Sequence, residues 1–192
     1  MYKHRYSIFA LLLAVAPSIA SAHTGSTAHN LMGGFAHPLT GLDHILAMVG
    51  VGLVAAYLGG KARYMLPGAF LSMMIVGGIV ASFGVVVPFV EAMILASIFV
   101  IGGMLALGFR MPSSIAALSV GFFAFFHGYA HIVEVGSHSA LLYGAGFLVA
   151  TALLHGLGLI AGIRAFRLEA NAARFAGAAT VTAGILLAFG IL

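Results

Sequence analysis

The chain alternates between long apolar stretches and short breaks that carry charged residues, glycine or proline. An α-helix rises about 1.5 Å per residue, so about 20 apolar residues cross the hydrocarbon core of a bilayer. Six stretches approach that length, and the second and third meet at Val87-Pro88, where the proline marks the boundary. The pattern predicts an all-α membrane protein, a bundle of six transmembrane helices at residues 39–58, 66–87, 88–108, 114–134, 139–160 and 172–192.

The N-terminus has the features of a secretory signal peptide. Lys3, His4 and Arg5 form a positive region, residues 8–16 are apolar, and Ala22 ends a small-x-small cleavage pattern. An uncleaved first helix is the alternative, although this apolar stretch is short for a span. We predict residues 1–22 as a cleaved signal peptide and residues 23–192 as a single transmembrane domain whose N-terminus lies outside the cytoplasm.

Lysine and arginine occur in alternate breaks between the predicted spans. They follow the first, third and fifth spans and are missing from residues 135–138 and from Val87-Pro88. Cytoplasmic loops of membrane proteins carry the excess of these cations, so the orientation is N-terminus out and C-terminus out. The cations that set it are Lys61, Arg63, Arg110, Arg164, Arg167 and Arg174.

Composition supports the membrane assignment and excludes several other classes. The chain is 62% hydrophobic and 6% charged, whereas about a quarter of the residues are charged in a soluble domain. It has no cysteine, which excludes disulfides, thiolate metal sites and thiol redox motifs. The net charge of +4 does not indicate nucleic-acid binding, because the cations are scattered singly and in pairs.

Histidine and carboxylate occur together in two segments, residues 37–44 (HPLTGLDH) and 126–134 (FHGYAHIVE). Ionisable groups are costly inside a membrane and usually line a pathway or a site. Only four residues of the chain are acidic, and Asp43 and Glu134 lie in these segments. The predicted topology brings both segments to the outer side, at the same depth.

Neutral imidazole and carboxylate suit nickel, cobalt, zinc or iron in their divalent states. We take His44, His127 and His131 as ligands, because residues 127 and 131 share one helix face. Asp43 either binds directly or accepts a hydrogen bond from an imidazole. Glu134 and His37 are either ligands or a guiding rim. The alternative without a metal is a set of buried polar residues that satisfy one another between helices.

Four further residues are candidates for accessory metal contacts. The amino group and imidazole of a mature N-terminal His23 could chelate an ion together with His29, unless this tail is simply solvated. Glu91 adds negative charge near the outer start of the third span, or caps that helix. His155, near the inner end of the fifth span, is either an exit ligand or a histidine used in helix packing.

At these residues the chain resembles the HupE/UreJ family of bacterial membrane proteins, regarded as nickel or cobalt permeases. The motifs are HPxxGxDH at residues 37–44 and FHGxAHxxE at residues 126–134, and the resemblance covers essentially the whole chain. It implies a secondary permease of the bacterial inner (cytoplasmic) membrane whose motif histidines and acids handle the metal. It does not decide between nickel and cobalt.

We therefore expect uptake of a divalent metal, nickel first and cobalt second, captured at the outer face. An intramembrane metalloenzyme is a second hypothesis, but the motifs lack the His-Glu-x-x-His arrangement, and we expect no enzymatic activity. A membrane protein that binds metal without moving it is a third. The expected partners are the metal ion and the lipid bilayer, with no prosthetic group and no nucleic acid. A homo-oligomer and a downstream metallochaperone stay open.

Overall fold

A computed structural model describes residues 30–136, 140–169 and 171–192. The regular secondary structure of this part of the chain is all α-helix, with no β-strand. The predicted signal peptide lies outside the described residues, as do His23 and His29. The seven helices are α1 (Leu31–Thr40), α2 (Leu42–Leu58), α3 (Ala62–Ser82), α4 (Val90–Ala106), α5 (Ser113–Val135), α6 (Ala140–Leu168) and α7 (Ala172–Ala188).

Three of these helices, α3, α5 and α6, are long and apolar enough to cross a membrane. A fourth candidate span is the pair α1 and α2, which are bent by 84° relative to each other at a short break. Helices α4 and α7 are apolar but have only 17 residues each. Length and composition therefore support three or four spans among the described residues, fewer than the six predicted.

The first predicted span was wrong at its start. A single helix was expected from residue 39, but α1 ends at Thr40 and Gly41 has an extended backbone, with φ −89° and ψ 123°. Asn30 caps α1, because its side-chain oxygen accepts a hydrogen bond from the Gly33 N–H at 2.9 Å. Pro38 therefore lies inside α1 and does not open a helix.

The boundary between the second and third predicted spans was also wrong. Residues 83–89 form a connection, although most of them are apolar. The Tyr129 hydroxyl on α5 fixes this connection: it donates to the Val85 carbonyl at 2.8 Å and accepts from the Val87 N–H at 3.2 Å. Phe89, with φ 61°, precedes α4. The contact with Tyr129 thus ends helix α3, although the apolar sequence continues beyond it.

Close helix approaches at glycine build the bundle. A Cβ atom on Gly52 of α2 would collide with the His155 carbonyl oxygen on α6, and one on Gly158 of α6 would collide with the Val49 carbonyl. In the same way, Gly128 of α5 lies against the Met74 carbonyl of α3. Small residues let helix backbones approach in this way in membrane bundles. The backbones of α2 and α6 are therefore in direct contact, as are those of α3 and α5.

The cationic residues and the histidine segments lie at opposite ends of the bundle. Lys61 and Arg63 stand at the turn between α2 and α3, and Arg110 precedes α5. Helix α6 runs eight residues beyond its predicted end, so Arg164 lies inside the helix near its C-terminus. The start of α2, the end of α5 and the start of α6 meet at the other end of the bundle.

Candidate metal centre

The break at Gly41 brings His37 on α1 beside Asp43 and His44 in the first turn of α2. A Cβ atom on Gly41 would lie 2.5 Å from His44 Nδ1 and 2.7 Å from Asp43 Oδ1. Glycine at this position therefore leaves the space that the two side chains occupy. The centroids of the His37 and His44 rings are 5.2 Å apart.

The hydrogen bonds of His44 indicate its tautomer. Its Nδ1 lies 2.7 Å from Asp43 Oδ1, and an ionised carboxylate only accepts, so Nδ1–H donates to Asp43. In a neutral imidazole the lone pair is then on Nε2. His44 Nε2 lies 2.7 Å from His131 Nε2, which donates to it. Asp43 thus holds His44 with its lone-pair nitrogen, Nε2, directed toward α5.

His131 is positioned from α5 and α6. Glu134, one turn further along α5, has its Oε2 3.7 Å from His131 Nδ1 and 4.0 Å from His37 Nε2. The Phe147 ring of α6 lies against His131, with the centroids 4.2 Å apart. The Glu134 carboxylate on one side and the Phe147 ring on the other therefore restrict the orientation of the His131 imidazole.

Three imidazoles converge on one point. His37, His44 and His131 each offer a ring nitrogen, and these three atoms all lie within 4.8 Å of one another. His44 and His131 are buried, and His37 is partly exposed. Three imidazoles at this spacing, each with a carboxylate oxygen within 4.0 Å of a ring nitrogen, are a donor set for a divalent ion of the borderline class.

A cavity of about 590 Å³ opens onto this group of histidines. Three of the four acidic residues of the chain line it: Asp43, Glu91 and Glu134. Carboxylates gathered in one cleft attract cations and raise their local concentration. The cavity is also lined by His37, His44, Val87, Val90, Ile94, Tyr129, Ala130, His131 and Val133.

The structure groups the predicted site residues into two sets. His37, Asp43, His44, His131, Glu134 and the accessory candidate Glu91 share the cavity. His127 lies one turn deeper on α5, with its ring centroid 6.1 Å from that of His44, so His37 completes the group of three imidazoles in its place. His155 lies near the middle of α6, because the helix is longer than predicted.

Sequence reasoning missed residues that pack around the site histidines, because their side chains are not typical metal ligands. Phe147 and Tyr143 of α6 pack around His37, each with its centroid 6.0 Å from that ring. Ser97 of α4 contacts His127, with Oγ 3.2 Å from Nε2. Only the four-residue spacing of Tyr143 and Phe147, which places both on one helix face, was visible in the sequence.

Comparison with known proteins agrees with the motifs. A family model described as HupE / UreJ protein matches residues 11–187. Protein HupE of Rhizobium leguminosarum bv. viciae is 43% identical over 176 residues, which cover 91% of this chain and 92% of that protein. No solved structure matches the chain.

Proposed function

Because the chain belongs to the HupE/UreJ family, we propose that it is a secondary permease for divalent transition metal uptake, with nickel first and cobalt second. The observation that carries this proposal is the convergence of three imidazoles beside two carboxylates, in a cavity at one end of an apolar helix bundle. The metal is the transported substrate in this account.

His37, His44 and His131 are the proposed ligands. Nitrogen atoms bound to one ion at about 2.0–2.1 Å, as for zinc, lie about 2.9–3.4 Å from each other. The 2.7 Å separation of His44 Nε2 and His131 Nε2 must therefore widen by a few tenths of an ångström. Glu134 Oε2 lies 3.7 Å from His131 Nδ1, beyond hydrogen-bond distance, so it must move closer to accept the proton on that nitrogen when Nε2 gives its lone pair to the metal.

The proposed topology has six spans, with α1 and α2 together forming the first. The cations lie at one end of the bundle, which the positive-inside rule makes cytoplasmic. The metal cavity is at the other end and therefore faces outward, at the bacterial inner membrane. A broken span beside an ion site is consistent with this arrangement, because irregular backbone at membrane depth is tolerated where it lines a cavity.

The membrane potential supplies a driving force in this scheme. The sequence has no Gly-x-x-x-x-Gly-Lys loop for ATP. An inside-negative potential favours inward movement of a dication by about 4.6 kcal/mol per 100 mV. Three carboxylates at the cavity collect the ion, and the imidazoles replace part of its water shell.

Uptake of labelled nickel and cobalt at nanomolar concentration tests the proposal, in cells that lack their own high-affinity importers. We expect the intact chain to accumulate metal and His131→Ala and Asp43→Ala to lose accumulation at equal membrane levels. Glu169→Gln is the matched control, since Glu169 is the one acidic residue that does not line the cavity. No accumulation of either metal would contradict a permease and favour the metalloenzyme or the binding protein.

A further inference from the structure

Two histidines outside the group of three imidazoles lie deeper in the bundle. His127 is 0% exposed and His155 is 1% exposed. His127 precedes His131 by one turn of α5, which is about 6 Å along the axis. His155 follows Phe147, the neighbour of His131, by eight residues of α6, or about 12 Å. The two imidazoles therefore lie at successive depths between the cavity and the cationic end.

Hydrogen bonding leaves His127 with a free lone pair. The Ser97 hydroxyl donates its single proton to the Ile94 carbonyl at 2.6 Å, so its oxygen can only accept from His127 Nε2, 3.2 Å away. Nε2 then carries the proton and Nδ1 carries the lone pair. His127 Nδ1 is buried and has no hydrogen-bond partner among the described residues. A ligating histidine is characteristically held in this way, with its other nitrogen donating to the protein.

His155 has no polar partner at all within the described ranges: neither ring nitrogen makes a hydrogen bond. Leaving a buried polar group unpaired destabilises the folded protein, and an apolar side chain would avoid that cost. The Phe70 ring contacts both deep histidines, with centroids 4.9 Å from His155 and 5.5 Å from His127. His155 and His127 are therefore neighbours of one aromatic side chain in the bundle interior.

We propose that His127 and His155 form an inner relay for the metal ion, in which His127 Nδ1 accepts the ion from the group of three imidazoles and His155 receives it next. This inference rests on the proposed permease function. Conduction needs successive sites that bind well enough to receive an ion and weakly enough to release it. Three imidazoles bind the ion at the cavity, whereas a single imidazole binds it at each inner step. The affinity for the ion therefore decreases along the path.

The two sets of histidines should affect transport differently. Loss of a cavity ligand weakens capture, so it lowers the affinity for external metal. Loss of His155 leaves the cavity intact and slows only inward transfer. Transport with His155→Leu should therefore show a maximal velocity at least about tenfold lower, because even groups that only support a ligand contribute 10–100-fold. Its KM, and the Kd for Co²⁺ of the purified protein, should stay within about twofold of wild type.

Two further variants separate a ligand from a packing residue. His155→Cys keeps a metal-binding group, and thiolate prefers softer ions. It should transport faster than His155→Leu and move the preference from Ni²⁺ toward Cd²⁺. Thr180→Val is the matched control, because Thr180 is another buried polar residue, bonded to the Ala176 carbonyl on α7. It should transport like wild type.

The experiment is initial-rate uptake of labelled Ni²⁺ and Cd²⁺ into cells, with a Co²⁺ titration of each purified variant. A wild-type velocity for His155→Leu would overturn the relay, and so would equal impairment and equal metal preference of the Leu and Cys variants. Either result would leave the permease standing. Absence of uptake by the wild-type chain would instead refute the permease, and the relay with it.

Discussion

The hydrogen bond between Asp43 and His44 allows the sharpest prediction about the metal site. At 2.7 Å it is short and charge-assisted, and it decides which nitrogen of His44 holds the lone pair. Asp43→Asn keeps an oxygen that can accept from Nδ1–H but removes the negative charge. Asp43→Ala removes both, so His44 is free to place its proton on Nε2. Metal affinity should therefore fall in the order Asp, Asn, Ala.

Carboxylates that orient a metal-binding histidine contribute about 10–100-fold in affinity. We expect the Kd for Co²⁺ to rise about tenfold in Asp43→Asn and about a hundredfold in Asp43→Ala, or about 1.4 and 2.7 kcal/mol. The assay is a Co²⁺ titration of purified protein in detergent, with a thermal unfolding curve for each variant. Glu169→Gln, which removes a carboxylate outside the cavity, should bind like wild type.

Wild-type affinity in Asp43→Ala would contradict the role of Asp43, since the proposed tautomer of His44 would then have no effect on binding. An Asn variant as weak as the Ala variant would show that the charge of Asp43, and not its hydrogen bond, is what His44 needs. In that case Asp43 acts on the ion through its charge or as a direct ligand. Direct ligation is the other role that the sequence allows for this residue.

Three further predictions concern protonation, packing and the connection before α4. Only neutral imidazole binds metal, so uptake at a clamped potential should weaken as the external medium is acidified; a flat or rising rate would count against histidine ligands. Gly128→Ala places a Cβ against the Met74 carbonyl and should cost about 1–3 kcal/mol in thermal unfolding, whereas Gly156→Ala, which faces open space, should be neutral or stabilising. Equal stability of these two variants would argue against the close α3–α5 contact. Tyr129→Phe loses both hydrogen bonds to residues 85–87 and should destabilise the protein by about 1–2 kcal/mol; an unchanged unfolding midpoint would contradict that role.

Hydrophobic pattern was sufficient for the bounds of α5, but it did not show that α6 runs eight residues beyond its predicted end. The predicted helix at 114–134 differs from α5 by one residue at each end, because Pro112 and Gly136 bound a continuous apolar run. It was insufficient for α1, which contains two glycines and a proline in ten residues. That helix depends on tertiary contact: a Cβ atom on Gly34 would collide with the Tyr143 carbonyl of α6. Contacts of this kind are not encoded in local periodicity.

The site residues were predictable in kind but not in arrangement. The two motifs identified the three histidines and two of the three carboxylates that share the cavity. They did not show that the bend at Gly41 brings His37, in place of His127, into the group of three imidazoles. That bend depends on backbone geometry and on the packing of α1 against α6. The partner of His127, Ser97, lies 30 residues away on another helix.

The proposed function requires that this chain itself moves a dication through the site of His37, His44 and His131. Its most direct test is labelled Ni²⁺ uptake into proteoliposomes that contain only the purified protein, with an imposed inside-negative potential. We expect saturable accumulation that is lost in His131→Gln and kept in Glu169→Gln. Accumulation that persists in His131→Gln would contradict the site. Ni²⁺ that binds to the protein without entering the vesicle lumen would contradict the permease.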